Sequence, residues 1–142
     1  MHMLGEKMWR GFLSRFQKRA VPPTGAPPVR RQKSYSAQSG YVYQYHYEGH
    51  RPLTTGNGTE YVFEVCADRK TPAPVSVHVH DEALESWETE RGRSLSQTER
   101  YAIAKMALFQ AFDERESPAG LGEPVSLCAD HVRAFLHVLD ID

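Results

Sequence analysis

The chain lacks nearly every signature by which a sequence declares its chemistry. It contains no GxSxG, CxxC or HExxH pattern, so nucleophile elbows, dithiol redox pairs and zincin-type helices are all missing. No run approaches the roughly 18 apolar residues of a membrane span, and the N-terminal region holds no continuous apolar segment of the secretory kind. The two cysteines, Cys66 and Cys128, make no disulfide framework. Two thiols in otherwise regular elements suit a reducing compartment, so the expected location is cytoplasmic, peripheral at a membrane if the N-terminal arm attaches there. No internal repeat is visible.

What is present is an uneven distribution of charge. The chain has 142 residues, 40% hydrophobic and 25% charged, which fits one ordinary soluble domain with a tail. Its net charge of −1 conceals a basic start and an acidic body. Residues 1–33 carry eight Lys or Arg and one acid, Glu6, while the remainder carries nine basic against 17 acidic residues, a balance of −8.

The basic start divides in two. From Glu6 to Ala20, the apolar residues Met8, Trp9, Phe12, Leu13 and Phe16 share one helical face, and Arg10, Arg15, Lys18 and Arg19 occupy much of the rest. A short, basic, amphipathic helix is expected there, of the kind that docks in a partner's groove or lies on an anionic membrane. The same Arg-rich, acid-poor pattern also fits an organellar transit peptide. Val21 to Ser39 reads as a linker, because Pro22, Pro23, Pro27 and Pro28 favour extended chain and oppose helix. Its second basic knot, Arg30, Arg31 and Lys33, reads as part of a solvated tether. Residues 1–39 are thus expected as arm and linker, and 40–142 as a small acidic domain.

Three strands open that domain. Tyr41, Tyr43, Tyr45 and Tyr47 alternate with Val42, Gln44, His46 and Glu48, which is the period of a strand over 41–50. Gly56, Asn57 and Gly58 supply a turn, residues 59–67 a second strand, and 75–80 a third with Val75, Val77 and Val79 on one side. The tyrosine, Tyr61/Phe63/Val65 and valine surfaces coincide on one face, with Tyr41 and Tyr47 near its rim.

Three helices follow, at about 82–90, 97–116 and 127–140. The central one is signposted at both ends. Ser96 and Glu99 form a capping box, Tyr101, Ala104, Leu108, Ala111 and Phe112 recur at helical spacing, and Pro118 stops the run. Val132, Phe135 and Leu136, with Cys128 one turn earlier, mark the inner face of the last helix. The order predicts an α+β fold: a three-stranded antiparallel meander with three helices on its tyrosine and valine face.

The opposite face gathers the candidate chemistry. A turn near Asn57 would set His50 across from Glu64, and one near Thr71 would set Glu64 across from His78. Imidazole, carboxylate and imidazole are suitable zinc ligands, with His46 or His80 as a further nitrogen. Against a single ion, such a row spans about 10 Å. Cys66 has His46 or His78 as a conceivable base, and Cys128 with His131 would make half a metal site. The leading expectation is a non-enzymatic interaction or adaptor module without a cofactor, binding a protein partner or a second copy, with the arm as tether. The rival is a metal-binding protein or metal-dependent enzyme. Nucleic acid is not an expected partner of a body charged near −8.

Overall fold

The computed structural model describes residues 21–142. The expected amphipathic helix and its docking residues, Met8 to Arg19, lie outside the described residues. Among those described, no helix is long and apolar enough to cross a membrane.

The fold is α+β, with a five-stranded sheet in the order β1-β2-β3-β4-β5. The strands are β1 (Lys33–Ser36), β2 (Val42–Pro52), β3 (Gly58–Ala67), β4 (Ala73–His80) and β5 (Val125–Ser126). The predicted meander is its antiparallel centre. Two strands were not anticipated: β1 pairs antiparallel with β2 at one edge, and β5 pairs parallel with β4 at the other. The stretch expected as a free linker therefore belongs partly to the sheet. Thr24 also pairs with His50 through two backbone hydrogen bonds of 2.9 and 2.8 Å, so residues 25–32 arch between two attachments to β2.

Three helices cover one face: α1 (Asp81–Arg91), α2 (Gln97–Glu114) and α3 (Ala129–Val138). The capping box at the start of α2 is present, with the Ser96 hydroxyl accepting from the Glu99 amide and Glu99 accepting from the Ser96 amide. Ile103, Ala104, Ala107, Leu108, Ala111 and Phe112 of α2 are buried. They meet Tyr43, Tyr45, Phe63, Val65 and the three valines of β4, so the core occupies the tyrosine and valine face. Each large apolar side chain enclosed there contributes about 1.5–3 kcal/mol. The rings interlock, with Tyr43 stacked on Phe112 at 4.2 Å between centroids. Tyr41 and Tyr47 are only partly buried, as their place at the rim implies.

Two helix starts differ from expectation. The helix expected from 82 begins at Asp81, with His80 at the N-cap of α1 and Asp81 a first-turn acid. Cys128 is the exposed N-cap of α3, outside its apolar stripe, where its amide donates to His131 Nδ1 at 3.4 Å. A residue before the first helical turn does not share the helix's facing rule, which is why the one-turn extrapolation fails.

The feature that most alters the sheet is a bulge in β2. Tyr47 lies across from Phe63 but Gly49 across from Val62, so Glu48 is an extra residue. After it, the alternation inverts. His50 joins the tyrosine face across from Tyr61, and Arg51 takes the outer face across from Glu60. Gly49 has φ of +129°, and a Cβ there would stand 2.6 Å from the Thr24 carbonyl oxygen. Only glycine allows both the backbone angle and the close approach. Gly49→Ala is expected to cost about 2 kcal/mol or more in denaturant unfolding and to speed tryptic cleavage after Arg30 and Arg31. Gly40→Ala, with φ of +97° but open space around its Cβ, should show the smaller strain cost and unchanged cleavage.

Candidate functional site

The outer face carries a polar network different from the expected row. Glu64 lies across from His46 and Pro74, while Glu60 lies across from Arg51 and His78. The predicted alignment of His50, Glu64 and His78 is thus replaced by Arg51, Glu60 and His78. The bulge accounts for the first change, and the four-residue offset of the β3–β4 pairing accounts for the second. Arg51 Nε donates to Glu60 at 2.9 Å, the Ser76 hydroxyl donates to the same carboxylate, and His78 Nε2 is 3.7 Å from it. Of the other candidates, His46 bonds Glu48 on its own strand, and His80 stands beside His78 with ring centroids 6.3 Å apart. Cys66 donates to Gln44 Oε1 at 3.4 Å. Among the described residues, no three His, Cys, Asp or Glu side chains converge as a potential metal site.

A different site forms on the tyrosine face. Beneath the arch of residues 25–32 lies a cavity of about 470 Å³, bounded by β2, Tyr61 of β3 and the first half of α2. That volume is in the range of small-molecule sites. Its sequence logic is local. Prolines hold the arch extended, Gly25 turns it with φ of +89° over the His50 ring, and the bulge delivers His50 to this side. β1 is fastened at its far end by Tyr35, whose hydroxyl donates to Asp113 at 2.7 Å and whose ring stacks on Phe109 at 4.6 Å. That hydrogen bond, with burial and the Asp113 charge, pushes the Tyr35 phenol up to about 12.

Aromatic rings make the walls. Tyr47 and Tyr101 are 4.7 Å apart between centroids, and His50 lies over Tyr61 at 6.0 Å and 28°. Burial raises the phenols of Tyr45, Tyr47, Tyr61 and Tyr101, so all four stay neutral at physiological pH. The Tyr61 hydroxyl is enclosed and has no hydrogen-bond partner among the described residues.

Cations make the mouth. Arg30 and Arg31 from the arch, Lys33 from β1 and Lys105 from α2 line the cavity, and no carboxylate among the described residues does. Lys33 is near enough for its charge to act on Lys105. Burial first, then the nearby positive charge of Lys33, holds the Lys105 ammonium below its ordinary range. Its head is 6.0 Å from the Tyr101 centroid and 5.9 Å from that of Phe109. Such a site is equipped to take an anion with an apolar or planar body.

The sequence reading missed Glu60, Lys105 and the arch. Gly49 inside a strand pattern was the available signal for the bulge. Nothing local pointed to Lys105, which reads as an ordinary residue beside an apolar stripe. Comparison with family models, with curated proteins and with solved structures finds no match.

The outer network makes a separate, pH-dependent contribution. Burial alone would raise the Glu60 carboxyl, but hydrogen bonds from Arg51 and Ser76 and the charges of Arg51 and His78 outweigh it and lower it. A depressed carboxyl contributes stability that is present above its unfolded value and is lost as pH falls through the folded one. Glu60→Gln should therefore cost about 1–3 kcal/mol at pH 7. The gap to the parent protein, followed by thermal unfolding, should hold above pH 5 and narrow below the ordinary carboxyl value of about 4.3.

Proposed function

We propose that this chain is a non-enzymatic interaction module whose working surface is the basic, tyrosine-walled cavity, with the basic segment before residue 21 as its tether. The observation that carries the reading is the set of cations Arg30, Arg31, Lys33 and Lys105 at a cavity to which the described residues supply no carboxylate. Two cations forced together raise each other's free energy, and an anion placed between them relieves it. What the cavity offers a ligand is charge and ring surface, which favours binding over turnover.

The tether reading rests on the sequence pattern of residues 6–20, basic on one side and apolar on the other. It meets an acidic body, which separates the two tasks: the arm attaches and the cavity recognises. The intact protein should sediment with vesicles containing anionic lipid and remain in solution with neutral ones. Equal behaviour on both would remove the membrane as the arm's partner and leave a protein groove. A truncation aimed at the arm must stop at residue 20, because Gly25 to Lys33 build the cavity wall.

Removing one cation tests the cavity directly. A lysine whose folded value is depressed costs stability while charged, at all pH values below the folded one. Lys105→Met is therefore expected to unfold at or slightly above the parent's temperature in low-phosphate buffer at pH 7. Added inorganic phosphate, at constant ionic strength, should raise the melting temperature of the parent by several degrees and leave Lys105→Met unmoved. A parent that shows no phosphate-dependent shift would sink the reading.

A further inference from the structure

The cavity has more organisation than an anion alone requires. Along α2, Gln97 and Thr98 line one end and Lys105 the other, with Tyr101 between them. Seven residues of helix from Thr98 to Lys105 span about 10 Å. The lining also carries the cations Lys33, Arg30 and Arg31, which with Lys105 suit a dianionic group better than a single carboxylate. The middle presents the partly exposed rings of Tyr47, Tyr101 and His50. The Thr98 end holds uncharged hydrogen-bonding groups at the start of an 18-residue helix, whose first amides lack intrahelical partners. Tyr61 also lines the cavity, and its buried hydroxyl is without a partner among the described residues.

Charge, ring and neutral polar groups thus follow one another over about 10 Å. We infer that the cavity takes a free nucleoside monophosphate, its phosphate between Lys33 and Lys105 and its base against Tyr47 and Tyr101. This rests on the anion-binding reading above and deepens it by naming the ligand class. Stacking of a base on a tyrosine is tolerant of base identity, because every base has a ring face, so little discrimination among bases follows from the walls. A polynucleotide offers the same chemistry, but the acidic body repels a long run of phosphates.

The test is a titration of the intact protein by calorimetry with adenosine monophosphate, inorganic phosphate, adenosine and a single-stranded oligoadenylate. Adenosine monophosphate should bind at least tenfold more tightly than either phosphate or adenosine, and no less tightly than the oligonucleotide. Lys105→Gln should weaken it tenfold or more. Tyr101→Leu should weaken adenosine monophosphate while leaving phosphate binding within twofold, which also shows that the variant is folded. Transfer of saturation from protein to the adenine protons in NMR should be lost in the same variant. If phosphate binds as well as the nucleotide, the ring site is refuted while the anion site stands. If nothing anionic binds, both fall. If the oligonucleotide binds tenfold more tightly than the monophosphate, a free nucleotide is the wrong ligand.

Discussion

One extra residue in β2 decides which side chains face which chemistry. Because strand side chains alternate with a period of two, the bulge at Glu48 exchanges the faces of everything after it. Without it, His50 would stand on the outer face and Arg51 would point into the tyrosines. With it, a guanidinium meets the buried Glu60 and an imidazole covers Tyr61. The same step puts a glycine where Thr24 must approach, and that approach closes the arch. The outer network and the inner cavity are therefore two results of a single backbone irregularity.

The two polar groupings differ in how they are satisfied. On the outer face the carboxylate of Glu60 accepts from Arg51 and Ser76, with His78 next to it, so its charge is compensated within the protein. Burial, the larger influence on His78, lowers its value from 6.5 in spite of Glu60. This is the profile of a structural network, closed on itself and protected from solvent. At the cavity the charges are of one sign and uncompensated among the described residues, while the phenols around them are neutral. The first arrangement stabilises a sheet. The second leaves its cations without a carboxylate among the described residues.

How far the sequence could foretell this follows from the range of each signal. Elements specified by neighbouring residues were legible: the Ser96 and Glu99 cap, the tyrosine alternation and the valines of β4 all act within a few positions and all lie where their pattern implies. β1 was not legible, because Lys33-Ser34-Tyr35-Ser36 has one aromatic residue and follows a proline-rich stretch whose composition argues for a tether. It is a strand because of distant partners, Tyr43 and Tyr45 across the ladder and Asp113 and Phe109 on α2. The two residues of β5 are held in the same way, by β4. The cavity draws on four separate segments, so its composition could not be read from any one of them. The outer row failed for a narrower reason: cross-strand neighbours were counted from assumed turn centres, and a bulge plus a four-residue offset changes every pair.

Packing alone is a poor explanation for the lysine pair. Lysine is long and flexible, and two of them near a surface separate readily into water unless something fixes their positions. Here both backbones are fixed. Lys33 is set by the β1 register across from Tyr45, and Lys105 extends over the rings of Tyr101 and Phe109. Two unit charges 4 Å apart repel by about 4 kcal/mol at an effective dielectric constant near 20, and less where solvent screens them. Arg51 pairs with Glu60, Arg93 with Glu99 and Arg133 with Glu90. Among the described residues, the arch cations and Lys105 have no such ion pair. Asp113, which lies against β1, is already engaged by Tyr35 and the Gln38 amide.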